Sequence, residues 1–360
     1  MSELRALGDV AGDYLAEGID LVEGVHRAVA RRTPAGAAHD AIVQGVYGAL
    51  RRAGRATGAA TGVALESAGV GEPSASPRGA AFVGALNGLL GDRLEEEGSE
   101  LAIEMAFHPP PPDPAVAKVA VFVHGLGESE TAWRLGGHEP YGERLRSDLG
   151  HTPLYLRYNT GLSVAENGRR LSALLEETVG RWPVAVEEIV LVGHSMGGLV
   201  SRHASRAAAE AGAHWVTAVS HVVCLGAPLG GAPLAKAVRR ASAALAMVAE
   251  TEPFARFLDL RSEGIRDLCL TCEAPAPDGA GAHYACATIT ADARHPVGWA
   301  IGDLLVRQAS ASGGATDARH FGARNHFQLL NDREVYDALV TWLADPVSRA
   351  GASPQSCSSL

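Results

Sequence analysis

Apolar positions in the first hundred residues fall at helical spacing. Ile19, Leu21, Val22, Val25 and Val29 make one stripe, and Ile42, Val43, Val46, Tyr47 and Leu50 a second. Glycines at 45, 48, 54, 58 and 62 interrupt that second stripe, so the pattern predicts several short helices rather than long rods. Glycine also permits close helix packing, so these helices are expected to lie on another body. Arg51, Arg52 and Arg55 read as a solvated basic face. An apolar run of 13 residues, Gly79 to Gly91, is bounded by Arg78 and Asp92 and is too short to span a bilayer. Acidic Asp92 and Glu95 to Glu97 follow it, so packing within the chain is favoured over peripheral lipid contact.

The periodicity then changes. Leu101 to Phe107 alternates as a strand does, and Pro109 to Pro114 makes a stiff connection. Val116 to Val123, Pro153 to Tyr158, Ile189 to Val192, Val219 to Leu225 and Tyr284 to Ile289 are apolar, strand-like runs. Helical patterns separate or follow them at Val164 to Val179, Leu199 to Ala211 and Val335 to Leu343. Alternating apolar strands and amphipathic helices predict a mostly parallel α/β sheet covered on both faces. The expected organisation is a helical amino-terminal extension over 1–97, an α/β catalytic domain over 98–347 and a disordered tail over 348–360. Between Ala232 and Leu260 lies an insertion with Leu234, Val238, Leu245, Val248, Phe254, Phe257 and Leu258 as an apolar stripe. It reads either as a helix on the sheet or as a small cap over an acyl pocket.

Charge removes some functions. The 360 residues carry 31 Lys+Arg against 41 Asp+Glu, a formal charge of −10, which argues against nucleic acid as the main partner. Both lysines, Lys118 and Lys236, follow alanine, so there is no Gly-Lys phosphate loop. Met1 to Arg27 mixes acids and bases without an apolar core, unlike a secretory signal. Five cysteines fit reduced thiols, and with them a cytoplasmic location. The final Cys357-Ser-Ser-Leu360 matches a prenylation box only formally, because its middle positions are polar.

Candidate chemistry centres on Ile189-Val-Leu-Val-Gly-His-Ser-Met-Gly-Gly198. Gly193-x-Ser195-x-Gly197 is the pattern of a sharp strand-to-helix elbow that lifts a serine hydroxyl above a sheet. Chance alone gives roughly 0.3 such matches in so glycine-rich a chain, so the flanking apolar run and helix carry the assignment. An earlier strand ends in His124-Gly125-Leu126-Gly127, the setting for an oxyanion loop. The amides of Leu126 and Met196 are the expected donors, and His124 is expected to order the turn. The base must follow the serine. His326 lies in a loop before the last helix and is the expected base, with His320 behind it; His203, His214 and His221 read as packing or surface. For the orienting acid Asp303 leads, with Asp292 as rival and Asp317 further behind.

These segments resemble bacterial esterases and lipases of the α/β-hydrolase superfamily, of the triacylglycerol-lipase-like or GPI-inositol-deacylase-like kind. The likeness runs from about Leu101 to Leu343. It is carried by Phe122-Val-His-Gly-Leu-Gly127, Tyr158-Asn-Thr-Gly161, Gly193-His-Ser-Met-Gly-Gly198, Leu225-Gly-Ala-Pro-Leu-Gly-Gly-Ala-Pro233, Gly302-Asp-Leu-Leu-Val306 and Asn325-His-Phe-Gln-Leu-Leu330. It implies a serine carboxylic-ester hydrolase with Ser195 as nucleophile, Asp303 as acid and His326 as base. It also implies an acyl-enzyme on a small-molecule or lipid ester, with no metal or organic cofactor. Pocket candidates are His124, Gly125 and Leu229, the last where such proteins more often carry histidine in the turn. Acyl transfer or amide cleavage with the same triad, and a silent binding protein of the same fold, are the alternatives. Cys269-x₂-Cys272 with His283-x₂-Cys286 has zinc-like spacing, yet the cysteines sit in or beside likely strands, where buried thiols are the expected state.

Overall fold

The β-branched runs form the centre of the molecule. In the computed structural model, which describes residues 2–30, 37–111, 116–232, 261–272, 274–315 and 318–344, they are β2 (Lys118–Val123), β3 (Thr152–Arg157), β4 (Glu188–His194), β5 (Val219–Leu225) and β6 (Gly281–Thr288). Short strands β1 (Ala106–Phe107) and β7 (Arg319–Gly322) take the two edges. The order is β1-β3-β2-β4-β5-β6-β7, parallel throughout except for β1.

Strand side chains alternate between faces, and the two faces build separate cores. Val119, Val121, Val123, Ile189 and Leu191 face α5 (Val164–Gly180) and α6 (Met196–Ala211). Ala120, Phe122, Val190 and Val192 face α4 (Tyr141–Leu149) and the last helix. Short helices α7 (Glu263–Asp267), α8 (Pro296–Ile301) and α9 (Gln308–Ala311) precede that last helix, α10 (Arg333–Ala344). A parallel sheet clad on both faces, with a serine at the β4–α6 turn, is an α/β-hydrolase fold.

Three sequence expectations are corrected. The amino-terminal region is not a set of short helices: α1 (Glu3–Ala30) has 28 residues, α2 (Ala37–Ser67) 31 and α3 (Pro77–Glu96) 20. The glycines expected to break α2 are its contact points, since a Cβ on Gly58 would lie 2.7 Å from Gly12 N and one on Gly12 2.8 Å from Arg55 Cα. The basic face is not simply solvated either. Arg55 meets Asp13 at 2.7 Å and Arg51 bridges Asp20 and Glu23, so these arginines tie α2 to α1. Finally, only the last two residues of Leu101–Phe107 pair as a strand. Asn87 of α3 takes the others out of the sheet, donating to Leu101 O at 2.7 Å and accepting from Ile103 N at 3.0 Å.

The run 79–91 forms most of α3, which lies between α1 and the sheet domain. Val83, Leu90 and Leu94 pack with Ala6 and Leu101. The glycine side of α3 faces the loops after β2 and β3, where a Cβ on Gly88 would stand 2.7 Å from Gly127 Cα. Asn159 donates to Gly91 O at 2.8 Å and Ser262 to Gly88 O at 2.6 Å. A boundary drawn at 97/98 therefore separates α3 from the loops it touches. The insertion after Ala232, Asp317 and the carboxyl-terminal tail lie outside the described residues. Among the described residues, no helix is long and apolar enough to cross a membrane.

Candidate active site

Ser195 occupies the turn between β4 and α6 with φ 52° and ψ −123°, a backbone region that non-glycine residues rarely adopt. The flanking glycines permit that turn. A Cβ on Gly193 would lie 2.5 Å from Gly197 C, and one on Gly197 would overlap the Val123 carbonyl oxygen. Ser195 N donates to Leu225 O at 2.8 Å, which ties the elbow to the end of β5. Its side chain is only partly buried.

The loop after β2 lies against it. A Cβ on Gly125 would be 3.0 Å from Ser195 Cβ, so glycine leaves the serine side chain its space. Of the loop amides, Gly125 N is taken by Glu128 at 2.6 Å and Gly127 N by Thr160 at 3.0 Å. The Leu126 amide is left without a partner among the described residues. Met196 N opens α6, where an amide has no partner within its helix, and the helix dipole adds positive potential there. The two expected donors are thus both unspent.

Asp303 and His326 meet directly. His326 Nδ1 lies 2.7 Å from Asp303 Oδ2, with both side chains almost wholly buried. The other carboxylate oxygen accepts Leu305 N at 3.0 Å and Val306 N at 2.8 Å, and His326 N donates to Asp303 O at 3.0 Å. This tight turn leaves Leu304 at φ 90°. Two of the three positive-φ non-glycine residues among those described, Ser195 and Leu304, therefore sit at this site. Asp303 follows α8, while Asp292 caps its own loop by accepting Arg294 N at 2.8 Å. His320, the fallback base, lies 2.8 Å from the hydroxyl of Thr288.

The elbow and the loop of His326 both meet the end of β5, where Leu225 O accepts Ser195 N. Gly226, next after Leu225, is close enough that its Cβ would touch His326 Cε1 at 3.1 Å. The ring of His194 is 4.7 Å from that of His326. Among the described residues no hydrogen bond joins the Ser195 hydroxyl to His326, a bond that in free enzymes often tightens only with substrate.

Two pocket candidates are core residues instead. His124 is fully buried, its ring 4.6 Å from that of Tyr158 and its carbonyl accepting the Tyr158 hydroxyl at 2.8 Å. Burial holds its imidazole below the ordinary histidine value. Leu229 is buried in the core on the α6 face, because the turn after β5 folds inward and Cys272 N donates to its carbonyl at 2.8 Å. Cys269 and Cys286 are buried thiols, and burial first, then Asp303, pushes Cys286 up to about 12.

Sequence reasoning missed Glu128 and His194. Glu128 follows the Gly125–Gly127 loop, with both carboxylate oxygens 3.2 Å from His194 Nδ1. The available signal was a titratable residue at the end of an apolar strand, with an acid just after the loop that faces it.

Residues 117–250 match the family described as a PGAP1-like alpha/beta domain. Among solved structures the chain is similar to the mature lipase BlEst2 of Bacillus licheniformis, at 20% identity and a TM-score of 0.45 over 67% of this chain and 98% of that one. It is also similar to a lipase-esterase related protein from Clostridium acetobutylicum, at 14% identity and 0.41 over 66% and 98%. A third is the RedJ thioesterase of the prodiginine pathway in Streptomyces coelicolor, at 16% and 0.37 over 66% and 94%. No curated protein matches the chain.

Proposed function

We propose that this protein is a serine carboxylic-ester hydrolase that works through an acyl-enzyme on a hydrophobic ester. The observation that carries the reading is the buried Asp303–His326 pair, together with a serine held at φ 52° on a glycine-flanked elbow. Asp303 accepts the proton on His326 Nδ1, which leaves the lone pair on Nε2 for the serine. His326 takes the Ser195 proton as Oγ attacks the ester carbonyl, and Asp303 steadies the imidazolium. The developing oxyanion is met by the Leu126 and Met196 amides, each worth on the order of 10²–10³ in rate. His326 returns the proton to the departing alcohol, and water then releases the acyl group by the same steps. Exposed Leu304 and Phe327, flanking Asp303 and His326, favour an apolar substrate over a charged one.

The test is Ser195→Ala with a series of aryl esters of rising acyl length. Turnover should fall by at least about 10³-fold with the fold intact by circular dichroism, and a fluorophosphonate should label the wild type at Ser195 alone. Activity that survives the substitution would remove the reading.

A further inference from the structure

Polar groups that this mechanism leaves unused join the three segments of the site. Glu128, after the oxyanion loop, accepts Gly125 N at 2.6 Å and stands 3.2 Å from His194 Nδ1. His194, on the elbow, places Nε2 3.2 Å from the carbonyl oxygen of His326 on the base loop. A carbonyl oxygen only accepts, so Nε2 must bear a proton. An ionised carboxylate only accepts, so Nδ1 must bear one too.

We infer that His194 is an imidazolium clamped by Glu128, a buried ion pair that positions the oxyanion loop, the elbow and the catalytic base against one another. The reaction it serves is the ester hydrolysis proposed above, and the inference rests on that reading. Both members are positioning residues, since neither touches the reacting atoms.

Electrostatics agree with the geometry. Burial opposes charge on both groups, yet the charge and hydrogen bond of Glu128 outweigh it and raise His194 above the ordinary histidine value. For Glu128, burial is outweighed by His194 and the Gly125 amide, which bring it down to about 2. Around His194 stand Glu128 from the oxyanion loop, His326 and Asp303 from the base side, and the neutral His124 from the end of β2. With His326 neutral, the group of Glu128, His194, His326 and Asp303 carries one net negative charge. When His326 takes the serine proton the group becomes neutral, which favours that transfer in a buried site.

The experiment uses the full chain with ¹⁵N-labelled histidine. Wild-type His194 should show both ring nitrogens protonated at about pH 7. Glu128→Gln should remove one of those protons and broaden the His326 Nδ1–H resonance. In the same variant kcat on an aryl ester should fall about 10-fold or more, with KM within about two-fold, because the loops lose registration. Glu128→Asp should recover part of that loss. His194→Gln should lack the alkaline limb that deprotonation of His194 gives the wild-type kcat profile. A neutral His194 in the wild type overturns the inference, as does a Glu128→Gln protein with unchanged kcat and unchanged His326 resonance. The imidazolium signature with a Glu128-sensitive His326 resonance, but no ester turnover, would sustain the clamp and sink the hydrolase reading alone.

Discussion

Asp303 does two jobs with its two oxygens. One accepts the Leu305 and Val306 amides and shapes the turn; the other faces His326 Nδ1 at 2.7 Å. Asp303→Asn can keep the first and must lose the second, because an amide NH₂ facing Nδ1 demands the opposite tautomer. The expected result is a fall in kcat of about 10⁴-fold with little change in KM or in the thermal midpoint. Steady-state kinetics alongside a melting curve check it. Ser195, His326 and Asp303 could be proposed from spacing because the elbow pattern is local and the candidate base and acid were sought in chain order after it. Glu128 was not, since its role depends on the facing of a histidine 66 positions away.

At the scale of elements, α3 acts as a backing plate for the loop after β2. Its glycine side meets Gly127 and Glu128 so closely that a single methyl group changes the spacing. In Gly88→Ala the new Cβ would lie 2.7 Å from Gly127 Cα and 2.9 Å from Gly127 N, so either α3 or the loop must shift. The Leu126 amide next to it should leave its line to the oxyanion, lowering kcat about 10-fold or more. Gly45→Ala in α2 is the control, because that position has open space around it. It should raise stability by about 0.5–1 kcal/mol and leave turnover untouched. Chemical denaturation and initial rates on the two variants test both statements. The sequence showed an apolar run at 79–91 but not its destination, because helical periodicity names a buried face without naming what buries it. The polar Arg319–Gly322 strand escaped altogether: it has four residues, and only Phe321 is a buried apolar side chain.

For the whole molecule, the Glu128–His194 pair links stability to pH. Glu128 is lowered on folding, so its contribution is present above its ordinary value of 4.5 and is lost as pH falls through about 2. His194 is raised, so its contribution is present below its ordinary 6.5 and is lost as pH climbs past its folded value. The pair therefore stabilises most between 4.5 and 6.5. Thermal midpoints across pH should decline on both sides of that window, and Glu128→Gln should flatten the acid limb. An acid limb that is identical in the variant would show that other carboxylates govern it.

The alternation of strands and helices, the glycine-framed serine and the candidate acid and base are all contained in local patterns, which backbone sterics and side-chain periodicity translate directly into structure. The burial of the glycine face of α3, the pairing of α1 with α2 through glycines and arginines, and the meeting of Glu128 with His194 were decided by tertiary packing. Each depends on which surfaces and charges meet across distant parts of the chain, and no local pattern encodes that meeting.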